Sequence, residues 1–269
     1  ENSTDRRFFM KLREISEILD RKPRADIAES WDNVGLLIGD RDAEIKKILM
    51  TLELTGDVMK LALEEKADLV ISHHPLIFSG LKKIVSSEGD NLVFELIRNN
   101  IAFYAAHTNF DALDGGLNDY VAELIGGKNI TMIKSPQEEH AICRIFDIEE
   151  TSIEDYISHI KSVMNIETLR FTGNTDEKIS RVALVTGSGS EYIDIAVSNG
   201  AQLFITGDLK YHYALELKEK GINVLDAGHF DTEKVFPQAM SIFIRRSITE
   251  LGDIDIIESG ADVNPFEYR

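Results

Sequence analysis

The chain has a single cysteine, Cys143, among 269 residues. An intrachain disulfide is therefore excluded, and so is a metal site built on several thiolates. The compartment expected for such a chain is a reducing cytoplasm. Basic residues are also scarce, 29 against 47 acidic ones, for a formal net charge of -18. Non-specific nucleic-acid binding needs a positive face that this composition does not supply. An acidic excess concentrates divalent cations, although solubility alone would account for it. No apolar run approaches the length of about 18 residues that reads as a membrane span, and "ENSTDRRFFMKLREI" lacks a signal-peptide core. Residues 1–9 are expected to be an extension before a natural start at Met10.

What is present is ordinary globular material, 43% hydrophobic and 28% charged, enough for one large domain or two small ones. Leu12, Ile15, Ile18 and Leu19 recur at helical spacing, and Pro23 ends that helix. "ESWDNVGLLIGD" holds the only tryptophan, a turn at Asp32-Asn33 and a short strand over Val34–Ile38. Then come a buried strand in "KKILMTLEL", an amphipathic helix in "GDVMKLALEEKAD" and a strand in "LVISHH". A helix over about Asn91–Asn99 and the strand "IAFYAAHT" follow. Strands alternating with helices predict an α/β fold with mostly parallel sheets.

The second half repeats the first. Residues 48–74 lie without a gap on residues 182–208, with Ala62 on Ala196, Ala67 on Ala201, Leu69 on Leu203 and Ile71 on Ile205. Any two βαβ units share some pattern, but an ungapped match of this length favours internal duplication. Further on, "AHTNFD" faces "GHFDTE", so His107 lies on His229 and Asp111 on Glu233. The expected organisation is a first α/β half over 10–135, a crossover over 136–178 with helical "EDYISHIKSVM", and a second half over 179–269.

Open α/β sheets place functional side chains at the carboxyl ends of their strands. His73, His74, His107, Asp111, His229 and Glu233 all fall at or just past such ends. Each element alone is weak: adjacent histidines are usually incidental, and Asp111 or Asp231 could simply cap a helix. Together, at corresponding ends of two repeats, they predict a metal site between the halves. Imidazole with carboxylate suits zinc, manganese, iron or cobalt. A carboxylate can bridge two ions about 3.5–4 Å apart, the spacing of dinuclear hydrolytic sites.

"ESWDNVGLLIGD", "ISHHPLIF", "AAHTNFD", "TGDLKYHYALE" and "DAGHFDTE" together resemble the dinuclear-metal family called GTP cyclohydrolase I type 2, or NIF-three-like proteins. The resemblance runs from about Met10 to the C-terminal region. It implies two similar α/β halves, a ring-shaped homohexamer with metal sites facing an internal cavity, and two divalent ions per chain. The family's ligands fall on His73, His74, Asp111, His229 and Glu233, with no departure at these five positions. His107 is then expected to orient Asp111 or a metal-bound water, and His212 to donate or accept a proton near the ions. A solvent-facing helix residue is the alternative for His212. His140 and His159 are expected to be structural or exposed.

The implied activity is metal-dependent hydrolysis, the opening of a purine nucleotide ring by activated water. The chain itself shows no P-loop, and Lys82, Lys83 and Lys210 read as surface residues before they read as phosphate ligands. "TGSGSE" follows a strand but lacks the third glycine of a dinucleotide turn, so an oxidoreductase reading rests on little. A tight turn explains it better. The alternative from a different class is a non-catalytic metal scaffold or metal-delivery protein acting through partners.

Overall fold

A computed structural model of the chain describes residues 9–85, 91–134, 141–247 and 254–267. The chain divides into two compact units, Glu1–Phe110 with Phe236–Asp262, and Asp111–Val235 with Val263–Arg269. These are not the sequence halves drawn at 135 and 178. The helix Phe236–Ser247 and the strand Asp255–Glu258 belong to the first unit, where Ile256 pairs in parallel with Ile48.

The first unit holds a five-stranded sheet in the order Asp255–Glu258, Lys47–Thr51, Leu69–Ser72, Ala102–Ala105, Gly35–Ile38. Its first three pairings are parallel and the last is antiparallel. Leu69–Ser72 and Ala102–Ala105 are buried at every position, as central parallel strands covered on both faces must be. That is why they read as unbroken apolar runs. The helix predicted from Leu12 spans Leu12–Arg21, and "GDVMKLALE" forms Gly56–Glu64. Thr55 Oγ1 caps the latter by accepting from Val58 N, and Asn91 caps Leu92–Arg98 in the same way. Val58, Met59 and Ala62 from one helix and Leu96 from the other pack with Leu49, Val70 and Phe103 of the strands as the core of this unit.

The second unit carries a six-stranded sheet in the order Lys128–Met132, Arg144–Ser152, Lys178–Ser188, Leu203–Gly207, Val224–Asp226, Arg170–Thr172. Only its two central pairings are parallel, so this sheet is mixed. The expected crossover is the reason. Besides the helix Ile153–Met164 it contributes the strands Arg144–Ser152 and Arg170–Thr172, which join antiparallel. The βαβ registers nonetheless correspond in the two units: Ile48 opposite Leu69 matches Val182 opposite Leu203, and Met50 opposite Ile71 matches Leu184 opposite Ile205.

Arg144 is fully buried in the second unit. A buried charge must be paired and hydrogen-bonded on every side. Its Nε donates to Asp119 Oδ1 at 2.7 Å, and its remaining nitrogens donate to the carbonyls of Ala141, Ile142, Ala112 and Leu113. The guanidinium thereby fixes the backbone just after Asp111. Among the described residues no helix is long and apolar enough to cross a membrane.

Candidate metal centre

The strand Leu69–Ser72 ends before the two histidines, but their backbone stays anchored. His73 N donates to Thr51 O at 3.2 Å and His74 N to Leu52 O at 3.0 Å. Release from the strand's alternation lets both rings face one region, with centroids 5.1 Å apart. His107, past the end of the neighbouring strand, joins them at 5.0 Å from His73 and 5.5 Å from His74. One potential ligand atom from each of the three lies within 4.8 Å of the others. His73 is fully buried, its ring 4.8 Å from Phe236.

The ring nitrogens are sorted by their partners. His73 Nδ1 donates to Ala106 O at 2.9 Å, which leaves Nε2 as the lone-pair nitrogen. His107 Nδ1 donates to Asp32, 2.9 Å from each oxygen. His74 Nδ1 is turned towards Glu53 Oε2 at 3.7 Å. A carboxylate or carbonyl behind one nitrogen is how metal-ligating imidazoles are oriented and made more basic. Burial acts to raise the pKa of Asp32, but hydrogen bonds from His107 and Thr108 outweigh it and bring it down to about 2. The carboxylate is therefore charged whenever the chain is folded near neutrality.

The second unit carries the same device. In the short helix His229–Glu233, His229 Nδ1 lies 2.8 Å from Asp208 Oδ2, while Nε2 lies 3.0 Å from Glu233 Oε2. The Glu233 hydrogen bond is the largest cause raising the His229 pKa, from 6.5 to about 9; burial opposes it and Asp208 adds to it. In the metal-free chain a proton thus occupies the nitrogen that a cation would take. A folded-state pKa raised in this way contributes stability that is fully present below pH 6.5 and lost as pH climbs through about 9. Because the ring is 37% exposed, solvent screening cuts the contribution to about 1–2 kcal/mol. Metal-free protein is expected to melt at a lower temperature above pH 9 than below pH 6.5, and Glu233→Gln to flatten that slope. Thermal melts across the range check it; an unchanged slope in the variant would contradict it.

Asp111 is buried in the helix Thr108–Ala112, where its carbonyl accepts from Asn118 Nδ2 at 3.3 Å. Asn118 Oδ1 in turn accepts from Thr186 N at 2.8 Å. The donor set on offer is nitrogen and oxygen only. Cys143 is buried and its thiol is pushed up to about 12 by that burial, so it is no ligand. Lone-pair imidazole nitrogens with charged carboxylates fit a divalent transition metal or zinc.

The family profile Duf34/NIF3 (NGG1p interacting factor 3) matches residues 10–265. The chain belongs to this family. A relative from Clostridium perfringens, named GTP cyclohydrolase 1 type 2 homolog, is 38% identical over 266 residues, covering 96% of this chain and 100% of its own. One of the same name from Clostridium acetobutylicum is 32% identical, covering 97% and 99%. The crystal structure of a hypothetical protein from Staphylococcus aureus superposes with a TM-score of 0.90 at 31% identity, over 97% of this chain and 99% of that one.

Within this Duf34/NIF3 chain three participants escape a reading by sequence. Asp32 looks like half of a turn, yet its side chain is fully buried behind His107. Asp208 sits at the repeat position of His74, and its role as partner to His229 has no counterpart there. "TGSGSE" holds no nucleotide turn: Gly187, at φ +62°, makes room for Glu233, since a Cβ there would lie 2.2 Å from Glu233 Oε1 and 3.3 Å from His229 Nε2. His212 is exposed in the first turn of Tyr211–Glu219, its ring against Tyr211 at 5.2 Å. His159 is exposed and stacks on Tyr156, and Lys82, Lys83 and Lys210 are exposed. His140 lies outside the described residues.

Proposed function

We propose that the chain binds two divalent metal ions through His73, His74, Asp111, His229 and Glu233 and uses them for hydrolysis. The observation that supports it most is the sorting of the imidazoles, each with Nδ1 turned to an oxygen. Bound ions of this kind lower the pKa of water and polarise an electrophilic carbon. The residues' own contributions are separable. Glu233, one methylene longer than Asp111, would reach further across such a site, and its charge would offset repulsion between two cations. His107, braced by Asp32, would orient Asp111 or a metal-bound water. His212, near the end of the strand Leu203–Gly207, is the proposed proton donor or acceptor.

The names of the relatives support a nucleotide such as GTP as substrate, with ring opening and release of formate. Elemental analysis after mild reconstitution is expected to give about two ions per chain. Repeated values well below one would refute the metal reading. Incubation with GTP should then yield formate only with metal present, and His212→Ala should lose rate while keeping its ions. If full metal occupancy comes with no turnover across a nucleotide panel, the scaffold or metal-delivery reading takes over. Cytoplasmic residence and a homohexamer belong to the same proposal. Light scattering that shows a stable monomer of 30.2 kDa removes the hexamer.

A further inference from the structure

Trp31 and Phe78 are each 56% exposed, an unusual place for two large aromatic side chains. Their rings lie 5.7 Å apart, tilted by 40°, and the indole meets the edge of His107 at 5.9 Å. The pair therefore adjoins the imidazole cluster of the first unit directly. Neither ring is held there by its own burial; the backbone around it does that. Glu29 N donates to Thr108 Oγ1 at 2.9 Å and Asp32 N to Glu29 O at 2.9 Å, while the Asp32 carboxylate is tied to His107. Asn33 Nδ2 donates to Ile77 O at 2.5 Å and fastens the Trp31 segment to the segment bearing Phe78. Two large aromatic side chains are thus held more than half exposed on a braced frame.

We propose that Trp31 and Phe78 form a stacking platform for a planar heteroaromatic ring, and so position that part of a substrate beside the cluster. At 5.7 Å the two rings already touch, so nothing inserts between them and a third ring stacks on their exposed faces. Stacking is tolerant of ring identity, because every such ring has a π-face. The platform therefore selects the class, planar heteroaromatic, and leaves the choice among rings to other groups. An aliphatic sugar phosphate has no such face and gains nothing there. The proposal rests on the metal reading only for the purpose of the platform; stacking itself needs no ion.

Trp31 is the only tryptophan, so fluorescence excited selectively at tryptophan reports on the platform alone. Full-length protein, metal-free and metal-loaded, is titrated with guanosine, adenosine and ribose 5-phosphate. Saturable quenching by both nucleosides and none by ribose 5-phosphate is expected in either metal state. Phe78→Leu, a change at an exposed position, should raise the apparent Kd about tenfold. Calorimetry of Trp31→Leu should show a similar loss for guanosine. The proposal is overturned if neither nucleoside quenches saturably, or if ribose 5-phosphate quenches equally. It is also overturned if Trp31 emits as a water-shielded indole that becomes exposed on dilution, since a second copy of the chain would then occupy the surface. Ion stoichiometry from the same samples tests the metal reading separately, so either can fail without the other.

Discussion

Gly187→Ala is expected to weaken ion binding at His229 and Glu233 sharply while leaving the fold in place. Gly187 has φ +62°, its N donates to Thr232 Oγ1 at 2.9 Å, and its carbonyl accepts from Thr206 Oγ1 at 3.1 Å. The left-handed conformation costs an alanine about 1–2 kcal/mol. The added Cβ also lies 2.2 Å from Glu233 Oε1, which must leave. Glu233 is the end of a flexible chain, but it is buried and meets His229 Nε2 at 3.0 Å. Its displacement dissolves that pair. Affinity for zinc or manganese should fall by at least about tenfold, the scale found when groups around a metal are disturbed. Gly221 separates the two costs: it has φ +70° and nothing within 4 Å of a new Cβ. Gly221→Ala should lose similar stability yet bind ions normally. Calorimetric titration with thermal melts decides; equal ion affinity in both variants would refute the role given to Gly187.

The first unit was largely legible because its elements follow local rules. Helical spacing of apolar residues gave the helices, and unbroken apolar runs gave the strands, where they occur. The five proposed ligands rest on another ground, the resemblance to a known family, with only Asp111 and Glu233 at matching repeat positions. The second unit was harder. The strands Arg144–Ser152 and Arg170–Thr172 lie outside the repeat, and their antiparallel pairing depends on partners far along the chain. Arg144 looks like one more surface charge until Asp119 and four carbonyls enclose it. The same limit hid Asp32 and Asp208. Each lies 75 or 21 positions from the histidine it supports, and no periodicity links a carboxylate to an imidazole at such distances.

Asp32 is where that hidden layer should weigh most. Its buried carboxylate accepts from His107 Nδ1, Thr108 N at 3.1 Å, Thr108 Oγ1 and Asn33 N at 2.8 Å. Asp32→Ala strips the acceptor from all of them at once, and a cost of about 3 kcal/mol is expected, the scale for breaking a buried pair from one side. Asp32→Asn is the sharper variant because it keeps the shape. An amide can accept with one oxygen only, and its NH2 group turned to His107 would make Nδ1 the acceptor. The imidazole proton then moves to Nε2, facing His73 and His74, and takes away the lone pair with which His107 would orient a metal-bound water. Wrong-tautomer imidazoles lose function with their geometry intact. The acid side should change too. A carboxyl depressed to about 2 contributes stability present above pH 3.8 and lost as pH falls through about 2, amounting to about 2 kcal/mol. That acid-side loss should vanish in Asp32→Asn. Nitrogen NMR of the histidine rings, read beside manganese titration, checks both claims. A His107 that keeps its proton on Nδ1 in Asp32→Asn, with ion binding unchanged, would show that Asp32 supports the fold and not the site.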